Sequence, residues 1–182
     1  SHDPEGALNN VQEAVKLSSD LVMAQLILGR LFARRGDYRK ASRHLEMAWK
    51  QAPHPELADA YLSVRSADAA RERLQRARKL QSLHPDHFES RMIMARAAMD
   101  AREFNLARET LKPLIENHPT MRTCLLMAEL EESDQSHKGL MREWLQRATQ
   151  APRDEAWVGD GVVLDQWMAL SPISKKLDHV RW

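Results

Sequence analysis

The chain has 182 residues, with 27 Lys and Arg against 26 Asp and Glu, a formal net charge of +1. So even a balance excludes the basic footprint of a nucleic-acid binder. A hydrophobic content of 43% with only 6 glycines excludes a disordered chain. The single cysteine, Cys124, excludes an internal disulfide and sits in the apolar run "TCLLMAEL", where it reads as a buried small hydrophobe. No stretch approaches the ~20 apolar residues of a membrane span, and no signal peptide opens the chain.

The first predicted element is the helical stretch "ALNNVQEAVKLSSD". Its Ala7, Val11 and Ala14 anticipate Ala41, Leu45 and Ala48, each 34 residues later. The chain is therefore expected to begin in mid-repeat, as an excised fragment with room for a membrane segment upstream. The next repeat, about 22–55, is the sharpest: Leu28, Gly29, Phe32, Ala41, Leu45, Ala48 and Pro53 fall in order. Gly29 and Ala41 are small where two antiparallel helices must approach, and Leu28, Phe32, Leu45 and Ala48 form the seam. Gly36-Asp37 supplies the turn. The repeat at about 56–87 is degenerate, with "ELADAYLSV" as a short first helix and "AARERLQRARKLQSL" as the second. At 88–120, Met94, Ala95, Ala98, Phe104, Ala107, Leu111 and Leu114 restore the pattern. At 121–152, Met127-Ala128, Leu145 and Ala148 keep it around the polar turn "SDQSHKG".

Pro53, Pro85, Pro119 and Pro152 close successive repeats at separations of 32, 34 and 33 residues. A fixed period near 34 is the mark of an all-α helix–turn–helix solenoid, here over residues 1–152 with a partial repeat at 1–21. Residues 153–182 lose the helical period and hold Trp157, Trp167 and Trp182. "WVGDGVV" and "DHVRW" are candidate short strands. A solenoid end needs a cover, so this tail is expected to cap the second helix of the last repeat; the alternative is that it is itself a docking surface. Its slots Gly159-x-x-Val162 and Ser171-x-x-Ser174 are spaced like a metal ribbon without the thiols, which predicts a ribbon shape held by Trp packing instead of metal.

The repeats resemble the tetratricopeptide repeat. The tail is similar to the C-terminal signature of the HemY-type proteins of proteobacteria, through Ala151-Pro152-Arg153-Asp154, Ala156-Trp157-Val158, Asp160-Gly161, Trp167, Ser171-Pro172, Leu177-Asp178 and Trp182. Lys176 stands where that signature leads one to expect Gly. The first resemblance implies a right-handed superhelix whose first helices line a concave groove. Carried onto this chain, the groove positions are Met23, Leu26, Arg30 and Arg34, then Tyr61 and Arg65, then Met92, Arg96 and Met99, then Arg122, Leu125 and Glu129. Arg with Met would suit an extended or helical peptide bearing carboxylates. The alternative for Met23, Leu26, Met92 and Leu125 is packing between repeats. The second resemblance implies the soluble part of an inner-membrane protein, cytoplasmic rather than periplasmic, linked to haem biosynthesis. Its implied role is to scaffold late haem-pathway enzymes without catalysing a step. A general peptide adaptor in envelope assembly and a porphyrin or haem carrier remain as alternatives.

Catalytic signatures are absent from the sequence: there is no GxSxG, HExxH, P-loop or GxGxxG. The sequence therefore predicts neither an enzyme nor a resident cofactor or metal. His84-Pro85 and His118-Pro119 recur where second helices end, which reads as capping, and His84-x-x-His87 alone is a weak ligand pair. Glu109–Lys112 and Glu143–Arg147 read as helix support. The basic run Arg71, Arg73, Arg76, Arg78 and Lys79 reads as a solvated outer face, with anionic lipid as the alternative.

Overall fold

The computed structural model describes Gly6, Glu13 and residues 22–117, 119–134, 139–164, 167–168, 171–176 and 180–182. The partial repeat expected over 1–21, His118, Leu177-Asp178 and most of the polar turn before Gly139 lie outside these residues, apart from the helical Gly6 and Glu13. Eight helices follow one another among the described residues: α1 (Val22–Arg34), α2 (Tyr38–Gln51), α3 (Pro55–Leu62), α4 (Ala70–Leu83), α5 (Phe88–Asp100), α6 (Phe104–Glu116), α7 (Met121–Asp134) and α8 (Leu140–Gln150). Each packs on the next, and α1, α3, α5 and α7 also touch in sequence, so these four form one layer of the stack.

The α1–α2 hairpin shows why its residues are what they are. A Cβ on Gly29 would stand 2.5 Å from Leu45 Cγ and 2.6 Å from its Cδ2, so only glycine lets the two helices meet there. Leu28, Phe32, Leu45 and Ala48 are buried along the seam. Gly36 takes φ 79°, and the turn closes through Gly36 N–H to Ala33 O at 3.0 Å and Asp37 N–H to Phe32 O at 2.9 Å. The α5–α6 turn repeats both bonds, Arg102 to Met99 O and Glu103 to Ala98 O, with Arg102 at φ 60° in the glycine's place. Asp37 starts α2 by accepting from the Lys40 N–H. Between repeats, Trp49 of α2 is fully buried and donates its indole N–H to Leu80 O of α4 at 3.0 Å.

The degenerate repeat has a local cause. Pro55 opens α3, and the Ser63 hydroxyl donates back to Asp59 O at 2.6 Å as the helix ends after eight residues. The chain then turns through Val64–Asp68, where Asp68 is held by Arg76 Nε at 2.9 Å.

The tail forms a three-stranded antiparallel sheet of β1 (Trp157–Gly159), β2 (Val162–Leu164) and β3 (Val180–Arg181), in the order β2-β1-β3. Asp160 and Gly161, at φ 49° and 80°, make the two-residue hairpin turn. The Gly159–Val162 turn meets the Ser171–Ser174 turn through Asp160, whose Oδ2 accepts from the Ser171 hydroxyl and from Ser174 N–H at 3.1 Å. Ser171 Oγ in turn accepts from the N–H groups of Ile173 and Ser174. The left-handed residue after this turn is Lys175, φ 58°, next to Lys176, where the signature leads one to expect Gly.

The tail's position also corrects an expectation. Its described residues do not cover α8, whose Leu140 and Leu145 stay 37% and 42% exposed. Instead it runs along the N-terminal ends of the first helices. Met121 N–H donates to Pro152 O at 2.9 Å and Arg122 N–H to Asp154 Oδ2 at 2.8 Å, which caps α7. Trp157 and Trp182 then pack on the ring of His54, at centroid distances of 4.8 and 4.2 Å.

Candidate partner-binding groove

The first helices of the repeats are in a 33-residue register, the separation of the pairs Glu89–Arg122 and Arg96–Glu129. Three rows result on the inner layer. Met23, Glu56, Glu89 and Arg122 form the first, Leu26, Asp59, Met92 and Leu125 the second, and Arg30, Ser63, Arg96 and Glu129 the third. The charged positions pair across neighbouring helices. Arg30 reaches Glu56 at 3.3 Å, Arg122 holds both oxygens of Glu89 at 2.6 and 2.9 Å, and Arg96 bonds Glu129. Between them lies a cavity of about 260 Å³ lined by Ala58, Asp59, Met92, Ile93, Arg96, Arg122, Leu125 and Glu129, among others.

The twelve expected groove residues divide. Met92, Arg96, Arg122, Leu125 and Glu129 line this cavity together. Arg30 does not line it and bonds Glu56 instead. Leu26 and Met99 are buried in the core and Met23 packs against it, so these three are structural. Arg34 is exposed at the end of α1 and lines none of the described cavities. Tyr61 and Arg65 face away from the groove: Tyr61 donates to Glu46 of α2 at 2.5 Å, and Arg65 lies over the Tyr38 ring at 5.1 Å. Burial, with help from the Glu46 bond, raises the Tyr61 hydroxyl. Tyr61 lies in the 33-residue register of Leu28 and Met94, which are buried in the helix seam, and Arg65 follows the end of α3 at Leu62.

Asp59 is the residue that sequence reasoning missed. It occupies a row whose other members are Leu26, Met92 and Leu125, and the 33-residue register was the signal. Its surface opens to the groove, yet the walls desolvate the carboxyl and push it above the usual carboxylate range. Glu89 adds to the shift, while Arg122, Arg30 and Arg96 oppose it. Arg122 is held above its ordinary value by Glu89, against the effect of burial.

At the mouth of the groove, His54 and His87 occupy equivalent helix starts. Each accepts through Nδ1 the N–H two residues on, from Glu56 and Glu89, at 3.1 Å in both cases. Burial, then the nearby Arg122, lowers His54 to about 4, against the pull of Glu56. Glu56 Oε1 also accepts the indole N–H of Trp157 and the backbone N–H of Trp167, both at 3.0 Å. Among the described residues no group of three His, Cys, Asp or Glu side chains is placed to hold a metal ion. Cys124 is buried, which raises its thiol. No helix among them is long and apolar enough to cross a membrane.

With that geometry in hand, residues 56–121 match the family model for the tetratricopeptide repeat. The fold is a tetratricopeptide-type helical solenoid. Over 99% of its length the chain is 24% identical to the "Probable magnetosome protein Mms48" of Magnetospirillum gryphiswaldense, and it spans 41% of that protein. Tetratricopeptide repeats of this kind serve as protein–protein interaction scaffolds.

Proposed function

We propose that the chain is a non-enzymatic scaffold that seats an extended or helical segment of a partner in the groove between α3, α5 and α7. The observation that carries this reading is the cavity of about 260 Å³, whose apolar walls are framed by interhelical ion pairs. The finer reading is a HemY-type membrane protein that organises late haem-pathway enzymes, anchored through a segment outside this chain. It rests on the tail residues, of which Trp157, Trp182 and Asp154 all anchor the tail to the groove's mouth. The likeness to a magnetosome protein favours a second reading, a scaffold for assembling a membrane compartment. Affinity capture from membranes of the encoding organism separates the two, using the wild-type chain and a Leu125→Trp variant that plugs the groove. Late haem-pathway enzymes recovered only by the wild type support the first reading. Recovery of membrane-assembly proteins without them overturns it in favour of the second. Equal recovery by both chains refutes the groove.

A further inference from the structure

Resting on the groove reading, we infer that the partner segment is basic: it places a lysine or arginine between apolar side chains, with the cation against Asp59. The arginines of the groove suggested a carboxylate-bearing ligand, but each is already matched by a glutamate of the neighbouring first helix. A ligand carboxylate would compete with Glu56, Glu89 or Glu129 for these guanidinium groups and would also face Asp59. Asp59 is different in kind. No hydrogen bond or ion pair to its carboxylate is present among the described residues, while its surface opens into the cavity. Counting the groove's ionised groups, Arg30, Arg96 and Arg122 stand against Glu56, Asp59, Glu89 and Glu129, which leaves one carboxylate in excess. That excess is local, because the chain as a whole carries a net charge of +1.

The neighbours of Asp59 define what should flank the cation. Ala58, Met92, Ile93 and Leu125 are apolar, and Leu125 is 39% exposed, so the walls offer dry surface on either side of a single acid. An ammonium or guanidinium with a long methylene stem matches that arrangement. Its stem covers the apolar wall while its head meets the carboxylate. The raised Asp59 is the expected state of a carboxylate whose counter-ion has yet to arrive.

The test is selection of a random dodecapeptide display library on the wild-type chain, followed by affinities of the enriched peptides for the wild type, Asp59→Asn and Leu125→Trp. The expected result is enrichment of a Lys or Arg flanked by apolar residues. Asp59→Asn then weakens binding about 10- to 100-fold. Replacing that basic residue by norleucine weakens it by a similar factor, and the two changes together cost no more than either alone. Peptides that are lost on Leu125→Trp but indifferent to Asp59→Asn overturn the charge assignment and leave the groove standing. An unenriched library, or peptides indifferent to both variants, overturns the groove and the inference with it. Asp59→Asn is nearly isosteric at an open site, so equal melting of the variant and the wild type by circular dichroism verifies the comparison.

Discussion

Glu56→Ala should free the tail from the solenoid while leaving the helices stacked. The carboxylate is a junction: Oε1 accepts from Trp157 Nε1 and Trp167 N at 3.0 Å each, and Oε2 accepts from Arg30 at 3.3 Å. Its side chain is 18% exposed, so the two bonds to the tail are partly shielded from water. Hydrogen bonds to a charged acceptor contribute roughly 1.5–3 kcal/mol each, and partial exposure puts these at the lower end, about 2–4 kcal/mol together. The Arg30 pair adds little, since Arg30 is 48% exposed. Hydrogen exchange of the β1 and β2 amides is the assay. A loss of about 2–4 kcal/mol from a local opening speeds exchange roughly 30- to 1,000-fold, while the α1–α2 amides stay as protected as before. Glu56→Gln keeps an oxygen acceptor and should fall between. Unchanged exchange in β1 and β2 on Glu56→Ala would refute the reasoning and place the tail's anchorage in its ring contacts with His54 and its bonds to the start of α7.

Gly29→Ala drives a methyl against Leu45 in a seam with no room to give, and should cost about 1–3 kcal/mol in urea unfolding; a neutral result would mean the two helices slide apart freely. Arg122→Leu strands Glu89, whose side chain is only 9% exposed, and should cost about 2–3 kcal/mol. Arg96→Leu breaks a pair with both side chains 47% exposed and should cost under about 1 kcal/mol, so equal losses would contradict the burial argument. His54 titrates at about 4 in the fold and near the ordinary value of 6.5 when unfolded. The unfolded state therefore takes the proton first, and stability that is complete above about pH 6.5 is lost as pH falls towards 4, by roughly 2–3 kcal/mol. His54→Asn keeps an acceptor for the Glu56 N–H and should flatten that part of the pH profile; an identical slope in the variant would assign the effect elsewhere.

The hairpins were legible because their causes are local and periodic. Gly29 against Leu45, the Gly36 turn and the closing prolines each act within a repeat, so spacing alone carries them. The inner arginines were legible as residues but not as charges. Their glutamate partners lie 26 or 33 residues away, and pairing appears only once the first helices are set side by side. The tail's site was hidden for a stronger reason. Trp157 and Trp167 reach Glu56 across 101 and 111 residues, a contact that no local pattern encodes. Tyr61 and Arg65 were misplaced because the degenerate repeat blurs its register: Tyr61 stands 33 residues from Leu28 and from Met94 and shares their buried seam position, and Arg65 lies past the end of α3.

That short helix is where scaffold and recognition part company. Repeats that keep the pattern use their inner positions to hold neighbours: Leu26 and Met92 are buried, and Arg96 and Arg122 close onto the adjoining helix. The second repeat gives up part of that. Its inner row carries Asp59 where the others carry an apolar side chain, and Ser63 replaces a charged residue in the row of Arg30, Arg96 and Glu129. Ser63 offers Asp59 no charge one turn on, and the nearby Arg30 and Arg96 are paired with Glu56 and Glu129. The same departure that blurred the repeat in the sequence thus concentrates unmatched charge at the centre of the groove, and a partner that supplies a cation there gains most from it.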